Sequence, residues 1–221
     1  MAQSSMLPFL KKLAKNNDKG WFEDHRDEYD AARQEFEQLT ESVIQETAKF
    51  DESIAHYEPK KAMLRIHRDM RFTKNKPPYH TTFRLGLNPV GKQAIAASYY
   101  LNYEPGNIFM GGGLVGAPTE AVRKVREEID HNWKEFQGIL HKQDFKSLFN
   151  DLQKTEEFSL KRPPKGYAED NPATGYLKLT DFVARRWLKD ETLSQPELVS
   201  EIVKSFEAAK PFLDFVNRNL K

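Results

Sequence analysis

With 221 residues, 38% of them apolar and 30% charged, the chain is long enough for one large domain or two small ones. Its fifteen Phe, eight Tyr and three Trp exclude disorder over the whole length. The absence of Cys excludes disulfide staples and thiolate metal sites, and the net charge of +1 lacks the basic excess of a typical nucleic-acid-binding domain.

Met1 to Pro8 has neither the basic start nor the apolar run of a secretion signal. No apolar run approaches the roughly 18 residues of a membrane span. A cytoplasmic protein with no membrane partner is expected.

In chain order, Ser4 or Ser5 caps a short helix carrying Phe9, Leu10 and Leu13 on one side. Asn16-Asn17-Asp18 ends it and caps the next helix. The apolar stripe Trp21, Phe22, Tyr29, Phe36, Leu39, Val43, Phe50 predicts one long amphipathic helix over 20 to about 49. After Pro59 the pattern fits a helix (Met63, Ile66, Met70) and a strand (Leu64, Ile66, Met70, Phe72) almost equally. Thr73 to Pro78 is a loop, because Pro77-Pro78 fits neither a helix interior nor a central strand.

The middle reads as a three-strand antiparallel meander: Thr82 to Leu87, Ala94 to Tyr103 and Ile108 to Leu114. Asn88 to Gly91 and Glu104 to Asn107 supply the turns. Pro118 opens a helix with Val122, Val125 and Ile129 inward. Trp133, Phe136, Ile139 and Leu140 continue its period after a break near Asp130. Asp144 to Leu152 predicts a short helix, Lys161 to Asn171 a loop, and Tyr176 to Trp187 a strand and then a helix. Ser194 to Glu197 is a capping box for a last helix ending near Asn219 and kinked at Pro211. The expected fold is one α+β domain over 1–221, its central antiparallel meander sheet enclosed by N- and C-terminal helices.

Three segments offer chemistry. Residues 60–84 hold eight bases (Lys60, Lys61, Arg65, Arg68, Arg71, Lys74, Lys76, Arg84) and one acid, Asp69. The preceding stretch, Glu23 to Glu58, holds twelve acids and three bases. On a helix, Arg65, Arg68 and Arg71 lie near one face; on a strand, Arg65, His67, Asp69 and Arg71 share one. Guanidinium forks bind phosphate or carboxylate bidentately, so an anion site is one reading. Internal pairing with the helix acids is the other. Asp69, alone among eight bases, is expected to pair with an Arg of its own segment.

Gly111-Gly112-Gly113 ahead of a helix is a backbone anion cradle or a closely packed strand end. Pro163 to Pro172 reads best as a rigid connection, with Glu169 and Asp170 as the alternative base or metal ligand. The six His show no metal-ligand spacing, so no metal is expected. No nucleophile elbow or zinc-helix motif is present, and no cofactor is indicated.

Several blocks together resemble the domain of unknown function 2461 family over about residues 7–217. They are Phe9-Leu10 through Asn16-Asn17, Trp21-Phe22, Arg65 to Phe72, Lys76-Pro77-Pro78-Tyr79, Gly111-Gly112-Gly113 and Pro164-Lys165-Gly166-Tyr167. His80 stands where that family often has Lys, and Asn171 where it often has His. The resemblance implies a shared fold and basic motif, and no particular reaction.

The functional expectation is therefore binding of a phosphorylated or carboxylated small anion by Arg65, Arg68, Arg71, Lys74, Lys76 and Tyr79, with Gly112 and Gly113 in support. Whether chemistry follows binding is left open by these residues, as is the oligomeric state. The alternative is a non-enzymatic protein- or nucleic-acid-interaction module in which the Arg cluster is structural.

Overall fold

The computed structural model describes residues 4–69, 71, 76–91, 93–190 and 198–220. Three helices open the chain: α1 (Met6–Lys15), α2 (Lys19–Asp24) and α3 (Arg26–Ala48). The short α4 (Pro59–Ala62) precedes strands β1 (Phe83–Leu87), β2 (Ser98–Tyr103) and β3 (Ile108–Leu114). Helices α5 (Thr119–His131), α6 (Trp133–Leu140), α7 (Gln143–Phe149) and α8 (Thr174–Leu177) follow, then β4 (Phe182–Leu188) and α9 (Leu198–Asn217). The fold is α+β: a four-stranded antiparallel meander in the order β1-β2-β3-β4, with helices before and after it in the chain.

Two compact units are distinguishable. The described residues of Met1–Leu87, Tyr100–Phe109 and Trp187–Val203 make one; those of Asn88–Tyr99, Met110–Arg186 and Lys204–Lys221 make the other. The first is built on an aromatic cluster. Phe36 and Phe83 stack at 5.2 Å, Phe22 packs on Tyr29 at 5.0 Å, and Phe9 touches Phe22, Tyr29 and Phe83. The second centres on Phe136, which packs against Tyr176, Phe212 and Phe215, and on Phe145 against Phe149.

Three expectations change. The long helix is broken at His25 (φ −114°, ψ 27°). The His25 ring stacks on Trp21 at 4.1 Å, and its Nδ1 lies 2.8 Å from the Trp21 carbonyl, which also accepts the His25 amide. A side chain competing for that carbonyl interrupts the helical ladder. Next, the ambiguous segment after Pro59 is helical only to Ala62; Met63 is already extended and bridges Leu85. Finally, Tyr176 to Trp187 is a helical turn and then a strand, the reverse of the expected order. The capping box at Ser194 to Glu197 lies outside the described residues.

The fourth strand explains the three glycines. In the antiparallel register Gly111 approaches Ala184 and Gly113 approaches Phe182. A Cβ would sit 2.1 Å from the Ala184 carbonyl oxygen at 111, 2.9 Å from Leu213 Cδ2 at 112, and 2.2 Å from the Phe182 carbonyl oxygen at 113. At 111 and 113 the obstacle is backbone, which leaves room for no side chain; at 112 it is the Leu213 side chain.

Gly113→Ala is therefore expected to cost about 3 kcal/mol or more of unfolding free energy, since the obstacle is main chain. Gly138, inside α6 with nothing within 4 Å of its Cβ position, is the control. Gly138→Ala should stabilise by up to about 1 kcal/mol through helix propensity. Denaturant unfolding of both variants checks the pair.

Candidate functional site

The site begins with the gap between α1 and α2. Asn16 closes α1, and the Asp18 carboxylate accepts the Trp21 amide at 3.0 Å, starting α2. Asn17, between these caps, turns its amide to Tyr79. Its Nδ2 donates to the Tyr79 carbonyl at 3.0 Å, and its Oδ1 accepts the Tyr79 amide at 3.1 Å. One side chain thus pairs both main-chain groups of Tyr79, as a neighbouring strand would.

The basic segment is the other partner. Leu64 N donates to Arg84 O at 2.9 Å, His80 N to Ile66 O at 2.7 Å, and Arg68 N to Pro78 O at 2.8 Å. His67 bridges Tyr79 in antiparallel fashion. The Tyr79 ring, 4% exposed, stacks on Phe22 at 4.0 Å, and His67 packs edge-on against both rings. Arg68 Nε adds a bond to the Tyr79 carbonyl at 3.2 Å.

This pairing gathers three basic side chains. Arg84 lies on β1 between buried Phe83 and Leu85, so strand alternation turns it to the opposite face. It is half-buried and, among the described residues, makes no side-chain hydrogen bond or ion pair. Burial lowers its pKa, the Arg68 charge lowers it further, and Glu104 opposes both. The terminal nitrogens of Arg68 likewise donate to nothing described. His80 is pushed down to about 4, first by burial and then by Arg84 and Arg68, with Glu104 again opposing. Its imidazole is therefore neutral at physiological pH. Glu104 is a fixed and partly occupied acid: Thr81 Oγ1 donates to its Oε1 and Asn107 Nδ2 to its Oε2, both at 3.1 Å.

The other residues singled out from sequence are distributed differently. Arg65 and Lys76 are exposed. Arg71 is exposed and forms a bidentate pair with Asp69, Nη2 to Oδ2 at 2.6 Å and Nε to Oδ1 at 3.0 Å. That pair is the one expected for Asp69, and the hydrogen bonds from Arg71 lower the pKa of its carboxyl. Lys60 reaches Glu37 of α3 at 3.7 Å, and Lys61 reaches Glu58 at 2.6 Å. Lys74 lies outside the described residues. Gly112 and Gly113 belong to the second unit, packed as described above. Among the described residues, no three of His, Asp or Glu come together as metal ligands would.

Sequence reasoning passed over Arg84 and His80 as site residues and gave Asn17 a role only in the turn between the first two helices. Arg84 carried a usable signal: it is a base at an outward position of an alternating strand. His80 carried a weaker one, a titratable residue directly after Pro77-Pro78-Tyr79.

Comparison with known proteins agrees with the residue blocks. The chain belongs to the family described as conserved hypothetical protein (DUF2461), whose model matches residues 5–215. No curated protein and no solved structure matches it. Among the described residues, no helix is long and apolar enough to cross a membrane.

Two predictions follow from the electrostatics. The folded pKa of His80 lies below its ordinary 6.5, so the unfolded chain takes the proton first. The stability carried by neutral His80 is present above pH 6.5 and is lost as pH falls toward about 4. Allowing for solvent screening at this partly exposed group, that loss is about 1 kcal/mol. Across this window the unfolding free energy of wild type should fall by that amount relative to His80→Gln, which has no titrating group at the position. Asp69→Asn should leave the thermal midpoint unchanged, because an exposed pair contributes little; differential scanning calorimetry checks it.

Proposed function

We propose that the first unit binds a small phosphorylated or carboxylated anion between Arg68 and Arg84, with His80 as a neutral hydrogen-bonding partner. The observation that carries this reading is the half-buried Arg84 guanidinium, which has no acid or carbonyl acceptor among the described residues and lies within electrostatic reach of a second Arg. A half-buried cation that no acid contacts is costly, and the like charge of Arg68 outweighs the opposing Glu104. An anion that takes hydrogen bonds from both forks removes that cost. The framework is rigid: Pro77-Pro78, the main-chain bonds and the Asn17 clamp fix Tyr79 and His80, so little is left to order on binding. Exposed Lys76 adds a further cation near in sequence. Binding of this kind weakens as salt rises.

The test is thermal stability with and without phosphate, sulfate, citrate and nucleotide anions, for wild type, Arg84→Gln and Arg68→Gln. Wild type should show a saturable rise in melting temperature, steeper at low salt, that Arg84→Gln loses. Arg84→Gln should also melt at or above the wild-type temperature without anion, since it removes an uncompensated charge. If every protein responds alike to every anion, the cluster is structural. The interaction-module reading, with a protein or nucleic-acid partner, then takes its place.

A further inference from the structure

In the first unit, the face of the sheet that carries Arg84 also carries a row of aromatic rings. Thr82 Oγ1 lies 3.0 Å from Asn102 Oδ1, which sets these two residues on one side of the β1–β2 pair. Two positions further along β1 and two back along β2, Arg84 and Tyr100 fall on that same side. Tyr100 meets Phe109 of β3 edge-on at 5.9 Å, and Phe109 meets Trp187 of β4 at 6.1 Å. The strands lie in the order β1-β2-β3-β4, so Arg84, Tyr100, Phe109 and Trp187 form a row with one side chain from each strand.

This row is open to solvent. Trp187 is 51% exposed, and Tyr100 and Phe109 are half-buried, whereas Leu101 and Ile108, their sequence neighbours on the other face, are buried. Gly86, the next outward position of β1 after Arg84, has no side chain, and a Cβ there would meet only Leu64 Cδ1, at 3.9 Å. Single exposed apolar residues are ordinary on a protein surface; touching rings from three neighbouring strands are not.

A row of rings that starts at a cation matches one ligand chemistry. A flat heteroaromatic ring stacks on aromatic side chains, and an anionic group at its end takes hydrogen bonds from guanidinium forks. A nucleotide has both parts. The row crosses three inter-strand gaps of about 5 Å each, which gives room for a sugar and a base beyond the phosphate. Its cation stands at one end only. That suits one phosphate group and not the evenly spaced phosphates of a nucleic-acid strand.

We propose that the ligand of the Arg84 site is a nucleotide, its phosphate on Arg84 and Arg68 and its base laid against Phe109 between Tyr100 and Trp187. The assignment rests on the anion reading above and adds the chemical class of the ligand. The aromatic row contributes affinity that a bare anion does not receive.

Calorimetric titration of the full chain with adenosine 5′-phosphate and ribose 5-phosphate tests this, since the two share one phosphate monoester and differ in the base. Adenosine 5′-phosphate should bind about tenfold tighter, as one base stacked on an aromatic side chain does. Phe109→Leu, which keeps apolar bulk without a π-face, should bring that ratio close to one. Trp187→Ala, at an exposed position, should lower it as well and serves if Phe109→Leu does not fold. Arg84→Gln should lose both ligands. Equal affinities in wild type would remove the aromatic row from the site; the nucleotide proposal then fails and the reading built on Arg84 survives. The proposal also fails if Arg84→Gln still binds adenosine 5′-phosphate, because the base is then held without the phosphate. A single-stranded oligonucleotide that binds far tighter, with the salt dependence of several phosphates, would replace the nucleotide by a nucleic-acid strand. If neither phosphate binds, the proposal fails, and the melting shift with citrate decides the reading built on Arg84.

Discussion

The candidate site depends on a short run of main-chain pairing, residues 63–68 against 78–85, closed by Asn17 on Tyr79. Among the described residues of the basic segment, this pairing brings Arg68, His80 and Arg84 together. The pairing tolerates Pro78 because only the Pro78 carbonyl is used, as acceptor for Arg68 N. The register also slips by two residues between the Met63–Leu85 bridge and the His67–Tyr79 bridge. The slack falls at Thr81 and Thr82, whose hydroxyls lie at Glu104 Oε1 and Asn102 Oδ1. The irregularity that holds Glu104 in place is the same one that separates His80 from Arg84 along the strand. Local backbone geometry and local electrostatics therefore have one origin.

A guanidinium at the edge of the core is treated in two ways. Arg218 neutralises Glu128 and reaches Glu135 as well, so that cluster is balanced within the protein. Arg84 and Arg126 are not balanced in this way. Desolvation lowers the pKa of both, although a guanidinium keeps its proton at any ordinary pH. The cost thus appears as stability forgone and not as a change of charge state.

The strands β1 and β3 were legible because their side chains alternate or their turns are marked by Pro and Gly. The break at His25 was not, since the apolar stripe runs straight through it and only a side chain reaching back to a carbonyl reveals it. β4 was obscured by Arg185-Arg186 in the middle of its alternation. Its presence was nonetheless implied by Gly111 to Gly113, which require something packed closely against β3. Buried Arg126 was passed over as one more base of an amphipathic helix, although its spacing of four from Val122 and three from Ile129 sets it beside the inward stripe.

The basic run itself was legible as a charge count and misleading as a geometry. Eight bases close in sequence suggest strong mutual repulsion that only acids or a ligand can relieve. On a helix, residues three apart would stand about 5 Å from each other. Residues 63–69 are extended, and three residues then span about 10 Å, close to a Debye length at ordinary ionic strength. Most of the expected repulsion between Arg65 and Arg68 therefore does not arise. Local pairs, Lys61 with Glu58 and Arg71 with Asp69, engage two of the others. What survives is the repulsion created by folding, where strand pairing returns Arg84 to Arg68 sixteen positions later with His80 between them. The nearness of Arg84 to Arg68 is set by cross-strand neighbours, and a count along the chain does not contain it.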